Sequence, residues 1–261
     1  MRKTYLLFCA LLSGLPYAAF ASGHGPVFAL ATPTNPKGGW SFDTNFMGRG
    51  GDGFGAMFRP SLGYGVTENL KISASAPVVV QTEPFAFSRM SAFTPMSGDF
   101  EALTIWRFHR QDTGVGSRFE SAAIGGVLLP GPQSPRSGPG ALIGGVTGIA
   151  SRSHYAWGGA TYQLYSASHG DRRPDLLFYS FAYAYRPPSW RRDSGWDWRI
   201  FGEMTGERTD PSHQVFVGPT TLGVYKNYAV SAGVQFPVYQ NASSLHPRER
   251  VRFALNFAYF F

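Results

Sequence analysis

Cysteine and long apolar runs are the two features that this sequence most nearly lacks. Its only cysteine is Cys9, which lies in an apolar run that we expect to be removed from the mature chain. Disulfide bonds, thiolate metal ligands and cysteine-based catalysis are therefore excluded for the mature chain. No later stretch reaches the roughly 18 apolar residues of a transmembrane helix. If the mature chain crosses a membrane, it must do so as a closed β-barrel.

Charge is also scarce. Charged residues make up 15% of the chain, whereas about 25% is usual in globular proteins. The formal net charge of +7 includes Arg2 and Lys3, and the remaining +5 is spread along the sequence. Because no basic block carries interleaved aromatic residues, we expect no nucleic-acid partner. The 32 glycines, 19 prolines and 16% aromatic residues are typical of a membrane barrel, with its turns and interfacial aromatics.

The N-terminal residues have the pattern of a secretory signal peptide. Arg2 and Lys3 precede an apolar run at residues 5–15, and residues 19–21 (AFA) form a small-x-small cleavage site that ends at Ala21. The following residues contain three prolines before residue 40, and we interpret them as irregular. The predicted organisation is a signal peptide at residues 1–21, an irregular N-terminal leader at 22–39 and a barrel domain at 40–261.

The last thirteen residues alternate between large apolar and smaller or polar side chains almost to the end. A period of two predicts a β-strand with one apolar and one polar face, which suits either a soluble sandwich or a membrane barrel. The strand resembles the last strand of bacterial outer-membrane proteins, which ends in Phe. In that class the barrel-assembly machinery reads this ending, so the resemblance implies the bacterial outer membrane. The signal residues that it implies are Phe253, Leu255, Phe257, Tyr259 and Phe261.

Similar alternation recurs along the chain and predicts an all-β fold. We expect a single antiparallel transmembrane β-barrel of about 12 strands in up-and-down order, with alternately short and long connections. Residues 77–97, which include Pro84 and Pro95, are predicted to form an outer loop. Residues 48–53 match the string GxGxxG, but no amphipathic helix follows to bind a phosphate. We interpret them as a glycine loop between the first two strands.

Two further features of the barrel follow from this strand order. Closure requires the last strand to pair antiparallel with the first, because an open sheet edge cannot persist in lipid. The up-and-down path also brings one group of aromatic residues to the end of the barrel that carries both termini, where a girdle is expected. The group consists of Trp106, Phe108, Trp196, Trp198, Tyr259 and Phe261.

Three phrases strengthen a narrower family resemblance. They are residues 63–70 (GYGVTENL), residues 98–100 (GDF) with 106–108 (WRF), and residues 233–237 (GVQFP). Together they resemble the outer-membrane transporter family of the meta-pathway of phenol degradation. The resemblance implies an outer-membrane barrel and, more loosely, transport of aromatic or hydrophobic compounds. That family offers no catalytic motif to carry over.

Charged residues fall mainly on the polar face of the predicted strands. At the bilayer midplane an outward Arg or Lys costs about 2–4 kcal/mol, so we expect these side chains inside the barrel. They form either a hydrated path or ion pairs that fill a closed interior, since twelve strands lie between filled and water-filled barrels. The predicted lumen-lining residues are Asp43, Arg59, Lys71, Asp99, Glu101, Arg107, Arg199, Glu203, Glu207, Arg250 and Arg252, and Glu120 has the same facing.

The function that these features favour is a channel or transporter for small molecules. A closed structural or adhesion barrel and an outer-membrane lipid-modifying hydrolase are the alternatives. Ser153-His154 and Ser212-His213 are adjacent pairs, and neighbours in a strand face opposite sides, which is poor geometry for catalysis. We expect no enzymatic activity, no cofactor and no metal site. The expected partners are outer-membrane lipids, the barrel-assembly machinery and a small-molecule solute.

The terminal aromatic residue can be tested directly. Replacing Phe261 with Asp should lower the amount of protein in the outer membrane, because the predicted assembly signal is lost. Membrane fractionation with immunoblotting measures this, and Phe261→Tyr, which keeps the aromatic ring, is the control. Unchanged levels together with a soluble periplasmic protein would contradict the barrel prediction.

Overall fold

A computed structural model describes most of the predicted barrel domain and part of the leader. Residues 1–24 lie outside the described part, so the signal peptide stays a prediction. Among the described residues, no helix is long and apolar enough to cross a membrane. The described residues are 25–51, 54–81, 99–131, 138–168, 173–187, 195–210, 212–241 and 248–261.

Thirteen β-segments account for the regular structure of these residues. In chain order they are β1 (Trp40–Gly51), β2 (Phe54–Thr67), β3 (Leu70–Ser75), β4 (Val78–Gln81), β5 (Phe100–Gly114), β6 (Ser117–Leu129), β7 (Gly140–Ala150), β8 (His154–Tyr165), β9 (Leu176–Tyr185), β10 (Asp197–Arg208), β11 (His213–Tyr225), β12 (Tyr228–Asn241) and β13 (Glu249–Phe260).

The segments form one closed antiparallel barrel. Apart from β4, each segment pairs with the segments that flank it around the wall, β3 pairs with β5, and β13 pairs with β1, for example Tyr259 with Phe42. β3 and β4 both pair with β2, so they are two halves of one strand, interrupted at residues 76–77 where Pro77 has no N–H to donate. The thirteen segments therefore make a twelve-stranded barrel. The predicted fold class and the predicted closure are confirmed.

Two predicted loops are wrong in part. The outer loop was expected to begin at residue 77, but β4 continues the strand to Gln81; residues 82–98 lie outside the described part. The expected glycine loop at residues 48–53 is mostly strand, because β1 runs to Gly51. Gly48 faces the ring of Phe253 on the paired strand, and a Cβ at this position would overlap that ring. An aromatic side chain that covers a glycine in this way stabilises the sheet.

The two ends of the barrel differ. One end, called the turn end here, carries Trp40, Phe261 and the two-residue turns at 68–69, 115–116 and 226–227. It also carries the connections 151–153 and 186–196. The opposite end, called the loop end, carries the connections 52–53, 82–99, 130–139, 166–175, 209–212 and 242–248. In bacterial outer-membrane barrels, short turns face the periplasm and longer loops face outward.

The outer wall is apolar and has an aromatic girdle at the turn end. Ile143, Phe236 and Leu255 are more than half exposed, and such a surface suits contact with lipid. The six residues predicted for a girdle lie at the turn end on the outer face, where the rings of Trp196 and Trp198 stack 5.8 Å apart and those of Tyr259 and Phe261 5.7 Å apart. Amphipathic aromatic rings favour the level of the headgroups.

Tryptophan depth can be measured with brominated lipids. In single-tryptophan variants, lipids brominated close to the headgroup should quench Trp106, which is 55% exposed on the outer wall. Trp157, which is 3% exposed inside the barrel, is the matched control and should be quenched weakly. Equal quenching of the two residues would contradict the placement of Trp157 inside the barrel.

Candidate functional site

The N-terminal segment, residues 25–39, lies inside the barrel over residues 25–35, whereas residues 36–38 are exposed at its turn end. Val27, Phe28 and Leu30 are buried, and Thr32 is 0% exposed. The sequence predicts an irregular leader at residues 22–39 and assigns it no position in the barrel. The signal that could have located it is the apolar run of residues 27–31, which a solvated leader would have no reason to carry. The segment enters the interior from the turn end, where residue 39 precedes β1.

The tip of the N-terminal segment wraps around one carboxylate. The backbone amides of Val27, Phe28 and Ala29 donate hydrogen bonds to Glu203 at 2.8, 2.7 and 2.8 Å. The hydroxyl of Thr220 donates a further short hydrogen bond. Successive amides that converge on an anion form a backbone nest, and hydrogen bonds to an ionised acceptor are about twice as strong as neutral ones. Glu203 therefore anchors the tip near the middle of the barrel.

Further contacts hold the segment along its length. The amide of Leu30 donates to the Ser180 hydroxyl at 2.9 Å, and the Thr32 hydroxyl donates to Glu120 at 2.9 Å. The Trp157 indole N–H donates to Thr32 at 3.2 Å. These partners come from β6, β8 and β9. The segment thus contacts several strands by hydrogen bonds and pairs with none of them as a β-strand.

Ala29 and Leu30 pack against an aromatic strip formed by Tyr155, Trp157 and Phe201. The rings of Tyr155 and Trp157 stack 5.8 Å apart, and those of Trp157 and Phe201 stack 6.3 Å apart, each pair inclined by 19°. The guanidinium of Arg199 lies 4.8 Å from the centre of the Tyr155 ring. The N-terminal segment therefore covers an aromatic face of the lumen.

A charge layer closes the interior between the N-terminal segment and the loop end. It consists of Arg49, Glu207, Glu249 and Arg252, each at most 3% exposed. Arg252 pairs with Glu207 at 2.5 Å and with Glu249 at 2.6 Å, and Arg49 pairs with Glu249 at 3.1 Å. The Arg252 guanidinium also lies 3.6 Å from the centre of the Phe216 ring. The two positive and two negative charges balance.

The prediction that Arg250 faces the lumen is wrong. The register between β1 and β13 shifts between Gly50 and Gly51, so Arg250 is an extra residue in a β-bulge and is exposed on the outer face. The bulge turns Glu249 inward instead. Without the bulge, Arg250 would face the interior beside Arg49 and Arg252, and the Glu249 carboxylate would face outward. The bulge thus exchanges a repulsive positive charge for a pairing negative charge.

The other ten predicted lumen residues face the interior, but they form separate pairs rather than one site. Besides Glu203 and the two charge-layer members Glu207 and Arg252, the predicted residues form these pairs: Arg59 with Glu101, Arg107 with Glu120 at 3.1 Å, Asp99 with Arg173 at 2.8 Å, Arg199 with Asp197 at 3.3 Å, and Asp43 beside Lys71. Arg173, which precedes β9, was not predicted. Burial raises the pKa of the Asp99 carboxyl, and the Arg173 guanidinium opposes that rise.

The described interior is packed. Gln163, Gln214 and Gln235, whose side chains point inward at the level of the charge layer and beyond, are 0–1% exposed. The interior around these three side chains is therefore closely packed.

The adjacent pair Ser212 and His213 offers no catalytic arrangement. Ser212 is buried and lies 2.9 Å from the Thr209 hydroxyl, whereas His213 lies 2.8 Å from the Tyr179 hydroxyl on the outer face. The two side chains thus face opposite sides, as their adjacency predicts. Within the described ranges, no group of three or more His, Cys, Asp or Glu side chains is placed to hold a metal ion.

Comparison with known proteins supports the fold. No family model matches the chain, and no curated protein matches it, so the resemblance to the phenol-pathway transporter family stays a prediction. The structure of a KdgM porin covers 85% of this chain and 99% of its own, at 9% identity and a TM-score of 0.53. A KdgM porin in complex with disordered oligogalacturonate gives 8% identity, 85% and 99% coverage, and a TM-score of 0.50. The chain thus has the fold of an outer-membrane β-barrel.

The charge layer predicts a specific stability difference. Arg252→Ala would leave two buried carboxylates short of their main partner, and breaking a buried pair in this way costs about 3–5 kcal/mol. Urea unfolding followed by the heat-dependent gel shift of the folded barrel measures the loss. Arg250→Ala is the matched control, because Arg250 is exposed, and its stability should be close to wild type. Equal destabilisation by both changes would contradict the bulge.

Proposed function

We propose that this protein is an outer-membrane channel for small aromatic or hydrophobic solutes, and that its own N-terminal segment closes it. The apolar outer wall and the aromatic girdle support the placement in a membrane, and the barrel fold supports the outer membrane. The observation that carries the proposal is that residues 25–35 occupy the lumen and are anchored there through Glu203.

The way in which the segment is held supports a removable plug. Eight-stranded barrels are nearly filled by the side chains of their own walls, whereas wider barrels leave space in the lumen. Here the N-terminal segment fills that space. It is bound by hydrogen bonds to side chains such as Glu203 and Ser180, and not by a continuous β-ladder. Its displacement leaves the barrel wall intact.

The surface beneath the segment supports an aromatic or hydrophobic solute. Withdrawal of the segment would uncover the aromatic strip, together with the Trp157 indole N–H and the Ser180 hydroxyl. Stacked rings attract a planar apolar molecule, and the two polar groups offer hydrogen bonds to an oxygen on it. The Arg199 guanidinium beside Tyr155 adds a positive charge that suits an aromatic acid.

A closed structural barrel is the second candidate, and the charge layer favours it. Its four side chains are buried and pair with one another, so a solute that passes the aromatic strip must still cross this layer. A transport protein has to rearrange these pairs, whereas a structural barrel keeps them. The two functions therefore differ in whether release of the N-terminal segment opens a path.

Removal of the anchor charge is the decisive change. Glu203→Gln replaces an acceptor for three backbone amides with an amide that accepts on one atom only, so the N-terminal segment should leave the lumen more often. In planar bilayers the variant should show more frequent or larger openings than the wild type. In proteoliposomes it should admit a benzoate-type aromatic acid faster than a pentose of similar size.

Two controls make this experiment informative. Asp112→Asn neutralises an exposed carboxylate in β5 and should behave like the wild type. A chain that lacks residues 25–35, shown to be folded by its gel shift, removes the plug altogether. If the wild type, Glu203→Gln and this shortened chain all fail to conduct, the closed structural barrel is correct.

A further inference from the structure

A one-sided arc of hydrogen-bond donors lies on the outer wall at the loop end. It contains one residue from each of five consecutive strands, β9 to β13: Tyr179, Arg208, His213, Tyr239 and Arg250. The strand registers place Tyr179 opposite Gly206, Gly206 opposite Val215, and Val215 opposite Tyr239. Arg208 and His213 lie opposite each other on neighbouring strands, two residues nearer to the loop end than Gly206 and Val215. The arc is therefore about 7 Å deep, or two residues along a strand.

Direct contacts organise the middle of the arc. The Tyr179 ring lies over Gly206 of the next strand, where a Cβ would overlap it. This lets the Tyr179 hydroxyl reach His213, two strands away, at 2.8 Å. The His213 ring lies 5.2 Å from the ring of Tyr239. A glycine at position 206 thus allows three side chains from β9, β11 and β12 to form one continuous surface.

Both arginines of the arc are available for a partner. Arg208 and Arg250 are exposed, and neither forms an ion pair with another described residue. Arg250 reaches the outer wall only through the β-bulge. An outward arginine costs about 2–4 kcal/mol at the bilayer midplane but only about 0–1 kcal/mol near the interface. The energetically acceptable depth for Arg250 is therefore the level of the headgroups.

The rest of the loop-end rim has a different character. On β2, β5 and β6 the outward residues at this end are apolar: Phe54, Phe100 and Leu129. Asp210, which lies in the connection between β10 and β11, is exposed and brings a negative charge close to the arc. Asp175, which precedes β9, is a second carboxylate near Arg208, and Tyr162 on β8 carries a further outward hydroxyl. The two exposed arginines of the arc nevertheless lie in one sector of the described wall.

We propose that this arc binds the phosphate-bearing headgroup of an outer-leaflet glycolipid. The arginines pair with phosphate oxygens, for which guanidinium geometry is well suited, and the tyrosine hydroxyls donate to phosphate or sugar oxygens. The apolar wall below the arc contacts the acyl chains of the same lipid. The proposal rests on the placement in the outer membrane that the proposed function includes, but it does not depend on whether the channel opens.

Lipid binding by the purified, folded barrel in a neutral detergent tests the arc. The probe is lipid A that carries both phosphates, and binding is followed by native mass spectrometry. The wild type should retain lipid A, and Arg208→Gln combined with Arg250→Gln should bind it at least about tenfold more weakly, because each headgroup-level cation contributes to binding an anionic lipid. Lys226→Gln, which removes an exposed positive charge at the turn end, should bind like the wild type.

Competition distinguishes the possible ligands. Excess inorganic phosphate should not displace lipid A, and phosphatidylcholine should bind no better to the wild type than to the double variant. Unchanged lipid A binding by the double variant would overturn the proposal, and so would displacement by free phosphate at low concentration. The gel shift of the folded barrel is recorded for every variant. A barrel that folds and binds lipid A but never conducts leaves this inference standing and refutes the channel.

Discussion

The buried carboxylate of Glu203 is the interaction on which the interior of this barrel depends. A single ionised group in the centre of a packed lumen requires several donors, because burial without hydrogen bonds is very costly. Three donors are backbone amides of the N-terminal segment, which cannot leave without exposing the carboxylate and the aromatic strip together. The anchor, the plug and the covered surface are thus one unit.

The same requirement governs the remaining interior charges. Arg49, Glu207, Glu249 and Arg252 satisfy one another in the charge layer, and the β-bulge at Arg250 supplies the carboxylate that makes the layer neutral. One local irregularity therefore has two effects. It completes an ion-pair network inside, and it places an arginine outside at the rim. A strand without the bulge would lose both.

The barrel wall separates the lipid outside, which favours apolar side chains, from the interior, where charged side chains pair with one another. The outer face is mainly apolar and carries polar side chains at both ends, such as His154 at the turn end and Arg208 at the loop end, whereas the inner face carries nearly all of the paired charges. Because the wall is closed by β1 and β13, its ladder of backbone hydrogen bonds is continuous without the N-terminal segment. This separation allows the interior to change state while the wall remains in the lipid.

The sequence by itself determined the class of the fold, the closure between first and last strands, the position of the girdle and the inward facing of residues such as Glu203 and Arg252. These features follow from the alternation of apolar and polar residues with a period of two. The alternation is a local property of each strand, so it predicts which side chains face inward even when the register between strands is not known. The bulge at Arg250, the partners of each charge and the position of residues 25–39 were decided by the tertiary structure. Several of them depend on groups that are far apart in the chain, such as Val27 with Glu203 or Arg49 with Glu249. No local pattern records such a pairing, because it exists only once the barrel has closed around it.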